Sequence, residues 1–118
     1  MRRLGFLLAA LALVPLACER AAPAEDCVDL TGTAPARVEM AGMAFVPACF
    51  SVSGSQAIAL VNEDAVDHTF TIRGTSVDLD VEGDRAAQVG PLAGAISPGT
   101  YDLLCRYHPE MTGSITVS

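Results

Sequence analysis

The stretch Gly99-Thr100-Tyr101-Asp102-Leu103-Leu104-Cys105-Arg106-Tyr107-His108-Pro109-Glu110-Met111-Thr112-Gly113-Ser114-Ile115-Thr116-Val117 decides how this chain is read. Tyr101, Leu103 and Cys105 fall on one face of an alternating run, which predicts a strand ending on Cys105. A short loop follows. A second strand is expected from Gly113, with Ile115 and Val117 sharing a face. Together they present a thiolate from Cys105, an imidazole from His108 and a thioether from Met111, at i, i+3 and i+6. Soft sulfur suits Cu(I), imidazole suits both oxidation states of copper, and a weak axial thioether tunes the potential. The chain has only two histidines. The other, His68, lies upstream where a second equatorial donor is wanted.

Outward from this stretch, short strand signals follow one another between turns. Val38 and Met40 alternate with polar neighbours, as do the residues of Cys49-Phe50-Ser51-Val52-Ser53, and Gly54-Ser55 turns. Ile58, Leu60 and Asn62 form one face of the next run. His68, Phe70 and Ile72 share a face, with Thr69, Thr71 and Arg73 opposite. Val77, Leu79 and Val81 alternate with Ser76, Asp78 and Asp80 before a turn at Glu82-Gly83-Asp84. Period 2 with closely spaced turns predicts an all-β, Greek-key sandwich or barrel. No segment after residue 18 has a helical period, and there is no internal repeat. If His68 opens one strand and Cys105 closes another, both can lie at one end of the sandwich, with Phe70 and Leu103 packed beneath.

The Cys-x2-His-x2-Met loop, with Asn62-Glu63-Asp64-Ala65-Val66-Asp67-His68-Thr69-Phe70 upstream, resembles the cupredoxins, the small blue copper proteins of the plastocyanin and amicyanin kind. Met43-Ala44-Phe45-Val46-Pro47, Gly54 and Gly99-Thr100-Tyr101 match further. The resemblance covers about residues 36–118, one domain's worth. It implies one mononuclear type 1 copper held by His68, Cys105, His108 and Met111, and a carrier of single electrons between redox partner proteins rather than an enzyme. It also implies that the electron leaves through the solvent-facing edge of His108, amid apolar residues, with Pro109 stiffening that rim. One position departs from the family. The residue after the first histidine ligand is commonly Asn, and here it is Thr69. In the family that side chain ties the two ligand loops together, and the backbone N–H beside it points at the ligand sulfur. The threonine hydroxyl is expected to substitute in part.

The N-terminus reads as an export signal. Arg2 and Arg3 form a positive start, and Leu4 to Ala17 is an uninterrupted apolar stretch, too short for a membrane span. Cleavage before Cys18, in a lipoprotein-like Leu16-Ala17-Cys18, competes with cleavage after Ala24 in Ala22-Pro23-Ala24. Four cysteines are present: Cys18, Cys27, Cys49 and Cys105. If Cys105 binds copper, three remain, and exported proteins usually pair theirs. A Cys27–Cys49 disulfide leaves Cys18 for lipidation, the favoured reading, although Cys18 could instead pair with Cys27 or Cys49. Residues 18–36, rich in Ala, Pro, Thr and Gly, read as a tether, pinned midway by Cys27, and 37–118 as the domain. The expected location is the periplasm or the extracytoplasmic face of a bacterial membrane.

Net charge is −7, and there is no lysine. Losing residues 1–17 removes two arginines and no acid, leaving five arginines against fourteen acids, net −9. That argues against nucleic acid and against anionic membranes. A monomer is expected, touching membrane only through a lipid anchor.

Each candidate has a plainer reading. Cys105 alone would pass for a buried apolar cysteine, His108 for a surface residue, Met111 for a plug beneath the loop and His68 for a cap at a strand start. Their shared register favours the metal. Met40 and Met43 read as core or rim. Glu63, Asp64 and Asp67 read as a solvated turn, in which Asn62 or Asp64 could hold the His68 loop through backbone hydrogen bonds. Structural zinc prefers several Cys or His without methionine. A binuclear copper centre needs a second loop cysteine, where this chain has Tyr101. No Ser-His-Asp pattern, Gly-rich phosphate loop or paired carboxylates stand out. The alternative function is a copper-binding module for storage, delivery or sensing, though no run of extra Met or His is present to hand copper on. A structural domain without metal is the third reading.

Overall fold

The computed structural model describes residues 26–118. The expected signal over 1–17, the lipidation site Cys18 and the first part of the expected tether lie outside the described residues.

Ten strands are present, and there is no helix among the described residues. They are β1 (Val28–Asp29), β2 (Ala36–Ala41), β3 (Ala44–Val46), β4 (Cys49–Val52), β5 (Ile58–Asn62), β6 (His68–Ile72), β7 (Asp78–Val81), β8 (Ala86–Val89), β9 (Gly99–Cys105) and β10 (His108–Val117). Two sheets form an all-β sandwich. One has the order β1-β4-β10-β9-β6-β7 and the other β3-β2-β5-β8. Pairings β1–β4, β4–β10 and β2–β5 are parallel and the rest antiparallel, so the chain crosses between sheets rather than running as a simple meander.

The alternation drives the layering. Val38, Met40, Ile58 and Leu60 of the smaller sheet, and Phe50, Val52, Phe70, Ile72, Leu103 and Ile115 of the larger, are all fully buried between the layers. Each such side chain contributes about 1.5–3 kcal/mol relative to exposure. Phe45 meets Phe70 edge to face, with ring centroids 6.2 Å apart.

The chain joins the sheet earlier than the sequence suggests. Strand β1 pairs with β4, and the Leu30 N–H donates to the Ser51 carbonyl at 2.9 Å. Cys27 is disulfide-bonded to Cys49 across this pair, with Cα atoms 4.6 Å apart. From Cys27 onward the segment read as a tether therefore lies against the sheet, where it covers the edge that β4 would otherwise leave unpaired. Strand β10 also begins earlier, at His108 rather than Gly113. His108 pairs with Cys105, and pairing resumes only at Thr112 with Leu104. The intervening bulge holds Met111, which is 1% exposed. Extra residues on one strand of a pair bend it and re-aim its side chains.

Between β2 and β3, Gly42 (φ 60°) and Met43 (φ 61°) make a two-residue turn. Positive φ at both central positions is what such a tight hairpin favours. Glycine supplies it freely, whereas methionine is strained there.

Candidate metal centre

Strand β6 opens on His68, β9 closes on Cys105, and β10 opens on His108. Since β6, β9 and β10 are neighbours in one sheet, these three ends come together at one pole of the sandwich. His68 Nδ1 and His108 Nδ1 are 3.1 Å apart. Cys105 Sγ lies 3.8 Å from the first and 3.5 Å from the second. The three donor atoms lie within 4.8 Å of one another, a group able to hold a metal ion. His68 and Cys105 are buried and His108 is half-buried. Met111 shares the inward face of β10 with Ile115 and Val117. Phe70 and Leu103 lie buried on the same strands as His68 and Cys105.

Each donor is braced. His68 Nε2–H donates to Asp64 Oδ2 at 2.8 Å, which leaves the Nδ1 lone pair toward His108 and Cys105. Asp64 also accepts the N–H of Gly42 on Oδ1 (2.9 Å) and of Met43 on Oδ2 (3.0 Å). The Met43 N–H first, then the His68 ring, hold its carboxyl below the ordinary carboxylate range. The strained β2–β3 turn thus aims two amides at the carboxylate that orients His68. Asn62 ties down the rest of the loop. Its Oδ1 accepts the Asp64 N–H, and its Nδ2 donates to the carbonyls of Val66, Val81 and Glu82. Gly83 allows the 82–84 turn to close on this loop, because a Cβ there would sit 2.2 Å from the Ala65 carbonyl oxygen.

On the sulfur side, the Thr69 N–H donates to Cys105 Sγ at 3.3 Å. The Thr69 hydroxyl accepts the Arg106 N–H at 2.8 Å. Threonine therefore ties the strand after His68 to the loop after Cys105, as the family's asparagine does. Thr69 is wholly buried and fully partnered.

The structure gathers His68, Cys105 and His108, and it puts Met111 in the adjoining bulge. Met40 is core and Met43 half-buried in the turn. Asn62 and Asp64 hold the His68 loop through backbone hydrogen bonds, as the sequence allowed, and Asp64 in addition bonds the His68 ring itself. The bonds of Asp64 to Gly42 and Met43 cross 22 and 21 positions of sequence, and nothing local announces them.

The donor set fits copper chemically. Two imidazole lone pairs brought to 3.1 Å repel one another unless a proton or a cation lies between them, and a thiolate beside them adds a soft anionic donor. The sequence profile of the cupredoxin-like domain matches residues 7–117. The amicyanin-alpha of Methylorubrum extorquens is 32% identical over 120 aligned positions, covering 99% of each chain. Among solved structures, the Cu(I) form of a point mutant of amicyanin superposes with a TM-score of 0.59 at 21% identity, over 73% of this chain and 84% of that one. A copper-containing nitrite reductase from Thermus scotoductus aligns with a TM-score of 0.58 at 22% identity. It matches 71% of this chain, which spans only 22% of the reductase. By profile, relative and fold alike, this chain belongs to the cupredoxin family, whose cofactor is a single copper ion.

Proposed function

We propose that the protein is an exported electron carrier rather than an enzyme, holding one type 1 copper through His68, Cys105, His108 and Met111. The observation that carries this is the convergence of the two Nδ1 atoms and Cys105 Sγ at the ends of three adjacent strands. Copper bound there would exchange one electron by cycling between Cu(II) and Cu(I). The chain's part is to keep the donors fixed through that exchange. Asp64 fixes the His68 ring, Thr69 fixes the sulfur, and the buried layers beneath resist rearrangement. His108 is the more exposed of the two imidazoles and makes the natural edge toward redox partner proteins.

Export rests on the signal-like start, and a Cys27–Cys49 disulfide suits an oxidising compartment such as the periplasm. We assign Cys18 as the lipidated residue and the residues after it as the tether, shortened by the strand pairing that starts beyond Cys27.

The test is the visible and electron paramagnetic resonance spectrum of the soluble domain with Cu(II) added. An intense thiolate-to-copper band with narrow hyperfine splitting is expected, and Cys105→Ala should abolish it. A weak, ordinary Cu(II) spectrum would favour copper storage or delivery. A blue Cys105→Ala variant would sink the ligand assignment.

A further inference from the structure

Thr69 is only the first member of a longer chain of polar groups on the outer face of β6. Strand register sets Thr71 opposite Asp78 and Thr69 opposite Asp80. The Thr71 hydroxyl donates to Asp78 Oδ1 at 2.7 Å. Its single proton is thereby used, so in the 2.9 Å contact between the two threonine hydroxyls Thr69 must donate and Thr71 accept. The Thr69 oxygen in turn accepts the Arg106 N–H, and the Arg106 Nε–H donates to the same Asp78 Oδ1 at 2.8 Å. The bonds therefore close into a ring that leaves Arg106 through its backbone and returns through its side chain. Every proton in it has a determined direction. Arg106 is the residue directly after Cys105.

We propose that Thr71, Asp78 and Arg106 are positioning residues for the copper thiolate, acting through Thr69 to hold the Thr69 N–H on Cys105 Sγ. The proposal rests on the copper reading above for its second readout alone. Thr69 is fully buried, so its hydroxyl proton cannot turn to water if Thr71 ceases to accept it. The side chain must then rotate toward another acceptor and release the Arg106 N–H. With that tie gone, the strand after His68 and the loop after Cys105 can separate, and the hydrogen bond to sulfur lengthens. Such a bond withdraws electron density from the thiolate, so its loss favours Cu(II). An ordinary surface ion pair between Arg106 and Asp78 would do none of this, because exposed pairs contribute little and are screened. Asp80 also faces Arg106, at 3.5 Å from Nη2, and accepts from the Tyr107 hydroxyl. Neither contact reaches Thr69.

The experiment compares Thr71→Val, Thr71→Ser and Asp78→Ala with the parent in two readouts. In the metal-free protein, amide hydrogen exchange at Arg106 should quicken about tenfold in Thr71→Val, and by less in Asp78→Ala, while Thr71→Ser keeps the parent rate. In the copper-loaded protein, Thr71→Val should shift the Cu(II)/Cu(I) equilibrium about threefold toward Cu(II), roughly 30 mV lower for a one-electron couple. Thr71→Ser should restore the parent potential. Parent-like exchange and potential in both Thr71→Val and Asp78→Ala would overturn the proposal. So would Thr71→Ser behaving like Thr71→Val, since that would trace the effect to the methyl group. If Thr71→Val does not fold, the exposed Asp78→Ala decides alone. A parent protein without a blue band would sink the copper reading, and the exchange measurement would still judge the ring.

Discussion

Asp64 accepts three hydrogen bonds, two from the backbone of a strained turn and one from the His68 ring. An asparagine in its place keeps the shape but must turn an amide N–H toward one of those three donors. Asp64→Asn should therefore weaken copper affinity by about tenfold, the lower end of what loss of a histidine's supporting partner costs. Competition with a chelator measures this, and unchanged affinity would reduce Asp64 to a brace for the turn. Met111 poses the opposite question, because its side chain is buried whether or not it binds. Met111→Leu keeps the volume and removes the weak sulfur donor that tunes the potential. The blue colour should persist and the potential should shift by roughly 60 mV, a tenfold change for one electron. An unmoved potential in voltammetry would leave Met111 as packing. At this scale the sequence exposes donors but hides their supports. Cys105, His108 and Met111 announce themselves by spacing within one loop, whereas the reach of Asp64 to Gly42 exists only once two strands are side by side.

Among the elements, those with one apolar face were legible and those without were not. β6 and β9 alternate in sequence, and their ends at His68 and Cys105 fall where the pattern puts them, although Thr69 on the outer face of β6 is buried as well. β8 (Ala86–Val89) has no fully buried residue; it turns only Ala87 and Val89 toward the core, and Ala86 beside Ala87 blurs its period. The bulge in β10 is equally silent, because it is a property of register against β9 and not of composition. Gly113 lies just past the bulge, which ends where Thr112 pairs with Leu104. The Ser114 N–H donates to the Ala48 carbonyl at 2.8 Å, and a Cβ on residue 113 would sit 2.3 Å from that same oxygen. Both partners are backbone, so Gly113→Ala must push β10 away from β4. The expected cost is about 1–3 kcal/mol, which lowers the melting temperature by roughly 5–20 °C in a domain of this size. A thermal melt within a degree or two of the parent would mean that the β4–β10 pair slides freely.

Across the whole molecule, the candidate ligands come from three strands in the middle of the six-stranded sheet, and the disulfide clamps that sheet at its β1–β4 edge. The candidate site could be read early because three of its four proposed groups share one loop. Its scaffold could not, because it spans the β2–β3 turn, the 62–68 loop and β7, which only the assembled sandwich unites. The disulfide separates stability from site geometry. It spans 22 positions, and in the chain-entropy account closing such a loop stabilises the fold by about 3 kcal/mol. β10, which carries His108 and Met111, is held to β4 by its own ladder from Ser114–Cys49 to Val117–Val52, independently of the sulfur bridge. A Cys27→Ser, Cys49→Ser double variant should therefore melt at least 10 °C lower, at roughly 4–8 °C per kcal/mol. Its copper spectrum at 25 °C should nevertheless match the parent. A melting point near the parent's would place the stability in the sheet alone. A changed spectrum would show that the bridge reaches the metal centre through β4 and β10, and that this edge of the sheet and the metal centre are mechanically coupled.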